Sequence, residues 1–372
     1  YNKTFDDNNF TVTPASGEKI NGGTASASLI ISTEGQGLTF VYVDGTVGWK
    51  TVHENEFTQG GSNFIVATGG TITESGNCKI HTFTGPGTFT VCTAAVSAAN
   101  NVVSYLVVAG GGSGGSSNSP TNNTAGGGGA GGFREYKSPV TPYTASPLDG
   151  NPGGTAITVS AQAYPITVGA GGAAQSTLAS NGNDGSNSIF STVTSAGGGG
   201  GGASNVPAPG QSRTGRDGGS GGGGAGGTSP SANGGSGNTP PVTPSQGNRG
   251  GNYSSTSPDH ASSGGGGAGA TGFDKPGGIC GLSGGPGGSG VTTAINGTTT
   301  GFAGGGGGGA GICGCASNNT QFPNGRAAAP GTGQADTLGF GGATGGRNQA
   351  FGGGAGTDNK GGGGGAGAGN TS

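Results

Sequence analysis

The chain has 372 residues, of which 98 are glycine and 19 proline; charged side chains make up 8% and the formal net charge is -3. That balance offers no basic field for nucleic acid, no apolar stretch approaches the length of a membrane span, and a chain so poor in apolar side chains must be held by its backbone instead of an oily core. The length suggests two or three domains; with no methionine and no visible signal peptide, the sequence reads as a fragment or processed product.

Residues 10–14, 26–33, 38–44 and 48–52 read as short strands with turn punctuation. Leu38-Thr-Phe-Val-Tyr-Val-Asp-Gly is the strongest of them, rich in β-branched and aromatic residues and stopped by Asp-Gly. Trp49, the single tryptophan, is expected to anchor a small core. Residues 54–62 suit a linker. A second set of strands is expected at 64–67, 71–73, 79–83, 88–93 and 102–108, the last running straight into Gly110-Gly-Gly. Tyr164-Pro-Ile-Thr-Val and the stretch 188–196 likewise enter glycine runs and are expected to return to the β layer, closing it over one end of whatever the glycines form.

Between two of these strands, Cys78 and Cys92 flank a stretch whose turn centres on Gly85, Pro86 and Gly87. Counting outward sets 83 opposite 87 and 78 opposite 92, which favours a cross-strand disulfide, with two free thiols as the competing reading. Cys280 and Cys313 sit in matching Gly-Ile-Cys-Gly contexts and are paired on that basis, leaving Cys315 odd. The spacing of the cysteines matches no zinc ribbon or knuckle. No metal and no cofactor is expected.

From Gly110 onward, glycine runs such as 197–202, 221–224, 304–309 and 361–365 dominate. Helix is disfavoured, since glycine costs ~1 kcal/mol per residue against alanine, and no stretch keeps the triplet phase of collagen. The extended polyproline II form remains; it makes no internal hydrogen bonds and leaves every N–H and C=O for neighbouring strands. Six residues at ~3.1 Å each give a bundle roughly 19 Å tall. Linkers rich in Asn, Ser, Thr, Pro and Asp separate the runs. If the runs go up and down, alternate linkers gather at a free end, a rigid platform for variable loops. The expected fold is therefore all-β: small β modules, then a bundle of polyglycine II strands with irregular loops and essentially no α-helix. The expected division is an N-terminal attachment or oligomerisation module at 1–56, a hairpin-containing β module at 57–109, and the glycine-rich bundle at 110–372.

Lys79-Ile-His-Thr-Phe-Thr-Gly-Pro-Gly-Thr-Phe-Thr-Val, then Tyr105-Leu-Val-Val-Ala-Gly-Gly-Gly and repeated Gly-Gly-Gly-Gly-Ala-Gly blocks, resemble the glycine-rich domain of bacteriophage tail-fibre and tail-tip proteins across roughly residues 62–372. Residues 13–20 and 38–50 also resemble a small β module of marine phage fibres. The resemblance implies a virion protein of the tail fibre or tail tip whose loops bind a bacterial surface receptor, either a glycan or an outer-membrane protein. It also implies contacts with other phage tail proteins and a homo-oligomer, fibres of this kind often being trimers. The β modules and loop sequences differ from those of the T-even-like distal adhesins, so no receptor residue carries over.

Loop residues that combine an aromatic or arginine with polar neighbours are the candidates for receptor contact: Arg213, Arg216 and Asp217; Tyr253, Asp259 and His260; Phe273, Asp274 and Lys275; Phe322, Asn324 and Arg326. Against this, Phe273, Phe302, Phe322, Phe340 and Phe351 are better suited to covering the bundle's ends, where a bare ring is costly. Asp259, His260 and Ser263 are adjacent in sequence, which is not triad geometry. Matches to GxGxxG carry no weight in so glycine-rich a chain. No enzyme is expected. The alternatives are a structural filament or sheath protein assembled through the bundle and, ranked lower, an ice-binding protein.

Overall fold

The computed structural model describes residues 10–31, 38–51, 62–117, 124–153, 155–204, 212–227, 231–254, 261–275, 284–310, 339–345 and 353–367. Among these the structure is all-β, with small antiparallel sheets and a single 3-10 turn, Ala98–Asn101. The chain forms two compact units, Tyr1–Ile65 with Thr93–Ala98, and Val66–Cys92 with Ala99–Ser372. The strands that precede the glycine runs therefore belong with them, without a unit boundary at Ala109.

In the first unit, β1 (Phe10–Val12) pairs with β2 (Leu29–Ile31), and β3 (Phe40–Asp44) pairs with β4 (Gly48–Thr51). The β3–β4 turn is fastened by the Asp44 carboxylate, which accepts the N–H groups of Thr46 and Val47 at 2.8 and 2.7 Å. Trp49 does anchor this unit: its indole donates to Glu18 at 2.7 Å and its ring packs edge-on to Tyr42. Gly48 holds φ +74° beside the Lys19 backbone, a place where a Cβ would be both strained and obstructed.

The second unit carries β5 (Val66–Thr68), β6 (Thr71–Ser75), β7 (Cys78–Thr82), β8 (Gly87–Thr93), β9 (Val102–Val103), β10 (Tyr105–Val108), β11 (Phe133–Tyr136), β12 (Ile157–Thr158), β13 (Ala163–Thr167), β14 (Ser188–Phe190), β15 (Val193–Ser195), β16 (Val291–Thr293) and β17 (Thr300–Phe302). Its largest sheet has the order β15-β14-β13-β8-β5, so residues 164–167 and 188–195 do return to the β layer. Phe89, Tyr164, Phe190 and Tyr105 meet there, ring centres 6.1–6.4 Å apart.

The disulfide expected between Cys78 and Cys92 is corrected: both thiols are free. The Gly85-Pro86-Gly87 segment is not a hairpin turn. β7 pairs instead with β6, with Ser75 opposite Cys78 around the two-residue turn Gly76-Asn77, while β8 lies between β13 and β5. Gly76 occupies the left-handed region at φ +57°, as a first turn residue of this kind requires. The two cysteines thus belong to different sheets.

The glycine runs lie side by side, and their hydrogen bonds repeat every third residue. In the strand 124–132, Gly126, Gly129 and Gly132 donate to Gly202, Gly199 and Ala196; Gly127 and Ala130 donate to Ser263 and Gly266; Gly128 and Gly131 donate to Gly364 and Gly361. Its carbonyls keep the same period. Gly126, Gly129 and Gly132 accept from Gly115, Gly112 and Ala109; Thr124, Gly127 and Ala130 accept from Gly226, Gly223 and Ser220; Ala125 and Gly128 accept from Gly309 and Gly306. Each successive residue thus turns to a different neighbour, the three-residue repeat of polyglycine II.

Strand 124–132 has six neighbours, and they close into a ring. Gly198 bonds Gly110, Gly199 bonds Ser220, Gly266 bonds Gly221, Gly265 bonds Gly306, Gly363 bonds Gly304 and Gly364 bonds Gly112. Further strands attach outside the ring, among them 180–187, 212–219, 232–238, 246–253, 270–275, 284–290 and 339–345. Contact on every side leaves no room for side chains: a Cβ on Gly128 would lie 2.7 Å from the Gly112 carbonyl carbon and 2.8 Å from that of Ser113. No glycine of this central strand has φ in the left-handed region; those that do lie at turns and run ends, such as Gly297 and Gly361. Inside the bundle, glycine is needed for its thinness more than for its backbone freedom.

Alanine marks where the runs end. Ala109, Ala130, Ala196, Ala268 and Ala303 form one buried layer beside the β strands, and Ala125, Ala203, Ala225, Ala261, Ala310 and Ala366 form another at the opposite end. Between Ala196 and Ala203 the chain climbs ~22 Å at the polyproline II rise. Ala130, Ala268 and Ala303 pack with Phe133 and Val291, against which Leu106, Val108, Leu148 and Phe302 close the β end.

Candidate functional site

The two ends of the bundle differ in how the chain turns. At the β end, described strands and turns such as the β14–β15 and β16–β17 hairpins carry it from one run to the next. At the opposite end, the connections 118–123, 205–211, 228–230, 255–260, 276–283 and 346–352 leave the described residues. Their flanks are tied together by hydrogen bonds: Ser204 to Ser116, Ala203 to Ser212, Ala225 to Arg213, Gly226 to Thr124, Ala232 to Tyr253, and Ser254 to Lys275. The described flanks of these six connections, dissimilar in sequence, therefore lie at one end of the lattice, where the chain also leaves the described residues after Ala310.

Two clusters of predicted residues lie near that end. Tyr253 is only 1% exposed, its hydroxyl donating to the Gly227 carbonyl at 2.9 Å, and the Arg213 guanidinium lies 5.6 Å from its ring centre. Arg213 also donates to the Ala225 carbonyl at 3.1 Å, and burial pulls its pKa down. This pair plugs that end of the lattice and presents little surface, which runs against the exposed role expected for Tyr253. Sequence alone does not separate a buried tyrosine from a displayed one when both are flanked by Asn and Ser.

The second cluster faces solvent. Phe273 is 56% exposed. Beside it, Asp274 takes two bonds from Arg249 at 2.9 and 3.3 Å and one from the Asn252 N–H at 2.8 Å. The arginine first, and the Asn252 N–H with it, hold the Asp274 carboxyl below its ordinary value against the opposing effect of burial. The Lys275 N–H donates to the Asn252 carbonyl at 2.9 Å and to the Ser263 hydroxyl. An exposed ring beside a fixed guanidinium–carboxylate pair suits stacking and polar contact with a sugar or protein surface.

Arg216 pairs with Asp184 at 3.3 Å, and Asp217 accepts the Ser236 N–H at 2.6 Å. These bonds fix neighbouring strands along the bundle's flank. Arg249 and Asp184, absent from the sequence-based candidates, complete both ion pairs; the available signal was an opposite charge flanking a different glycine run. Of the phenylalanines weighed as end covers, Phe340 is buried and Phe302 packs on the apolar cluster under the Lys360 ammonium. Asp259, His260, Phe322, Asn324, Arg326, Cys280 and Cys313 lie outside the described residues. Among the described residues no three His, Cys, Asp or Glu side chains gather as metal ligands, and no helix is long and apolar enough to cross a membrane.

A family model described as a glycine-rich domain matches residues 82–372. Comparisons with curated proteins and with solved structures return no match.

Proposed function

We propose that this chain, which belongs to the glycine-rich domain family, is a bacteriophage tail-fibre or tail-tip protein that binds the bacterial host surface with the connections at one end of its bundle. The observation that carries the reading is that the described flanks of six dissimilar connections lie at a single end of a lattice held by backbone hydrogen bonds. Recognition surfaces that must vary are commonly borne by loops on a rigid scaffold. The exposed Phe273 with the Arg249–Asp274 pair supplies a contact surface next to those connections. The resemblance of residues 79–91 and 105–112 to tail-fibre sequences supplies the virion setting.

The expected partner is a glycan or outer-membrane protein of the host, with other tail proteins and further copies of the chain joining it elsewhere. The N-terminal unit suits assembly, since Phe10, Ile30, Val41 and Tyr42 are exposed on its two short sheets. The test replaces the connections 118–123, 205–211, 228–230, 255–260, 276–283 and 346–352 together with Gly-Ser segments of equal length. Adsorption to the host is expected to vanish while thermal melting of the bundle stays in place. Unchanged adsorption overturns the reading, and a continuous helical lattice of bundle contacts in micrographs would favour a filament instead.

A further inference from the structure

At the β end, away from the six connections, the β14–β15 hairpin, residues 155–156 and residues 240–246 enclose a cavity of about 320 Å³. Arg134 of β11 lines it and is only 8% exposed. Among the described residues its guanidinium has no ion pair, and no side-chain hydrogen bond of it is found. The lining includes no Asp or Glu. The next residue, Glu135, is committed elsewhere, accepting the Ser146 N–H at 2.9 Å and the Thr293 hydroxyl. A cation taken out of water with no counter-charge is strongly unfavourable, and burial draws the Arg134 pKa down, with the Tyr105 phenol the only opposing influence.

Of the rest of the lining, Thr155 keeps its Oγ1 packed against Gly150 with no exposed surface. Asn187 spends its carbonyl oxygen on the Gly197 N–H at 2.9 Å, which leaves its amide N–H groups. Gln246 is a fixed wall, its oxygen held by the Ala196 N–H and its nitrogen by the Pro240 carbonyl, each at 2.8 Å. Val242 adds an apolar side. The volume stands at the small end of ligand pockets, and a guanidinium fork matches a carboxylate or a phosphate in the same bidentate way.

We propose that this cavity binds a small oxyanion, a carboxylate or phosphate carried on a molecule of monosaccharide size, with Arg134 as its counter-charge and the Asn187 amide as a further donor. The site is independent of the host-binding reading, because it lies at the other end of the bundle and uses none of the connections.

The experiment is calorimetric titration of the full chain with glucuronate, glucose 1-phosphate and neutral glucose, with amide exchange of residues 188–195 as the second readout. Binding of at least one charged probe is expected, with glucose weaker by about tenfold or more, the worth of one charge-assisted bond. Glucuronate alone identifies a carboxylate ligand, glucose 1-phosphate alone a phosphate ligand. Arg134→Gln is expected to abolish binding. Thr194→Trp, at an exposed lining position, is expected to obstruct the cavity and weaken binding without lowering the melting temperature. If Arg134→Gln does not fold, the Thr194→Trp result and exchange protection at 188–195 decide. Absence of binding by either charged probe up to about 10 mM, equal binding of glucose, or binding unaffected in both variants overturns the proposal.

Discussion

Replacing Gly128 by alanine adds one methyl group at the centre of the lattice, where the neighbouring strands leave no space for it. The new Cβ would meet the carbonyl group of Gly112 and the Ser113 carbonyl carbon, the carbons at 2.7 and 2.8 Å, and these are backbone atoms that cannot rotate aside. Relief requires strands 109–116 and 124–132 to part. That movement strains the bonds from Gly112 to Gly129, Gly128 to Gly364 and Gly306 to Gly128, 2.8–2.9 Å long. At a net ~1 kcal/mol each, their loss destabilises the bundle by about 3 kcal/mol. Gly171→Ala is the matched control. The nearest atom to its Cβ is the Gly111 carbonyl oxygen at 3.6 Å, an ordinary contact, so a neutral effect or a gain of ~0.4–1 kcal/mol from the stiffer unfolded chain is expected. Urea unfolding followed by circular dichroism measures both, since the single tryptophan reports on the other unit. Equal stability of the two variants, or a loss below ~0.5 kcal/mol for Gly128→Ala, would refute the claim that side-chain exclusion holds the lattice.

Ala130→Gly should cost about 1–2 kcal/mol, combining a lost methyl against Phe133 and Val291 with added chain entropy; calorimetry checks it. Asp274 has a depressed folded pKa, so its contribution is present above the ordinary carboxyl value and fades as pH falls through the lowered one. Asp274→Asn should therefore flatten the acid limb of a melting-temperature profile; because the Arg249 pair is half exposed, the loss at neutral pH should stay within ~1 kcal/mol and shrink in salt. The Tyr143 phenol is held protonated well above its usual range by burial and then by the Glu135 carboxylate. Stability should consequently be full below about pH 10 and fall above it, and Tyr143→Phe should soften that alkaline fall. Cys92→Ser should leave melting unchanged with or without reductant, whereas a drop of ~2–5 kcal/mol would reveal a bond between Cys78 and Cys92.

Glycine blocks free of collagen phase already demanded extended strands paired through their amides, and β10 running into Gly110 already located the β end. Neighbour choice was a different matter. A run without side chains carries nothing that names its partner, so the six strands around 124–132 became visible only through their hydrogen bonds. The cysteine pairing failed because Gly85-Pro86-Gly87 looked the stronger turn, whereas Gly76-Asn77 set the register. At the candidate site, Phe273 and Asp274 were recognised from composition. Arg249 was not, since its partner lies in a different linker. Arg134 was missed because an arginine inside Phe-Arg-Glu-Tyr looks like half of a surface ion pair, while the fold turns the glutamate to other bonds.

The repeat that links strand 124–132 to its ring also restricts how such a sequence can change length. One residue inserted into a run turns every donor beyond it by a third of a revolution, so that each amide meets the wrong neighbour. Three residues restore the phase and merely lengthen the strand. Glycine blocks of this lattice thus behave like text in triplets, tolerant of whole words and broken by single letters.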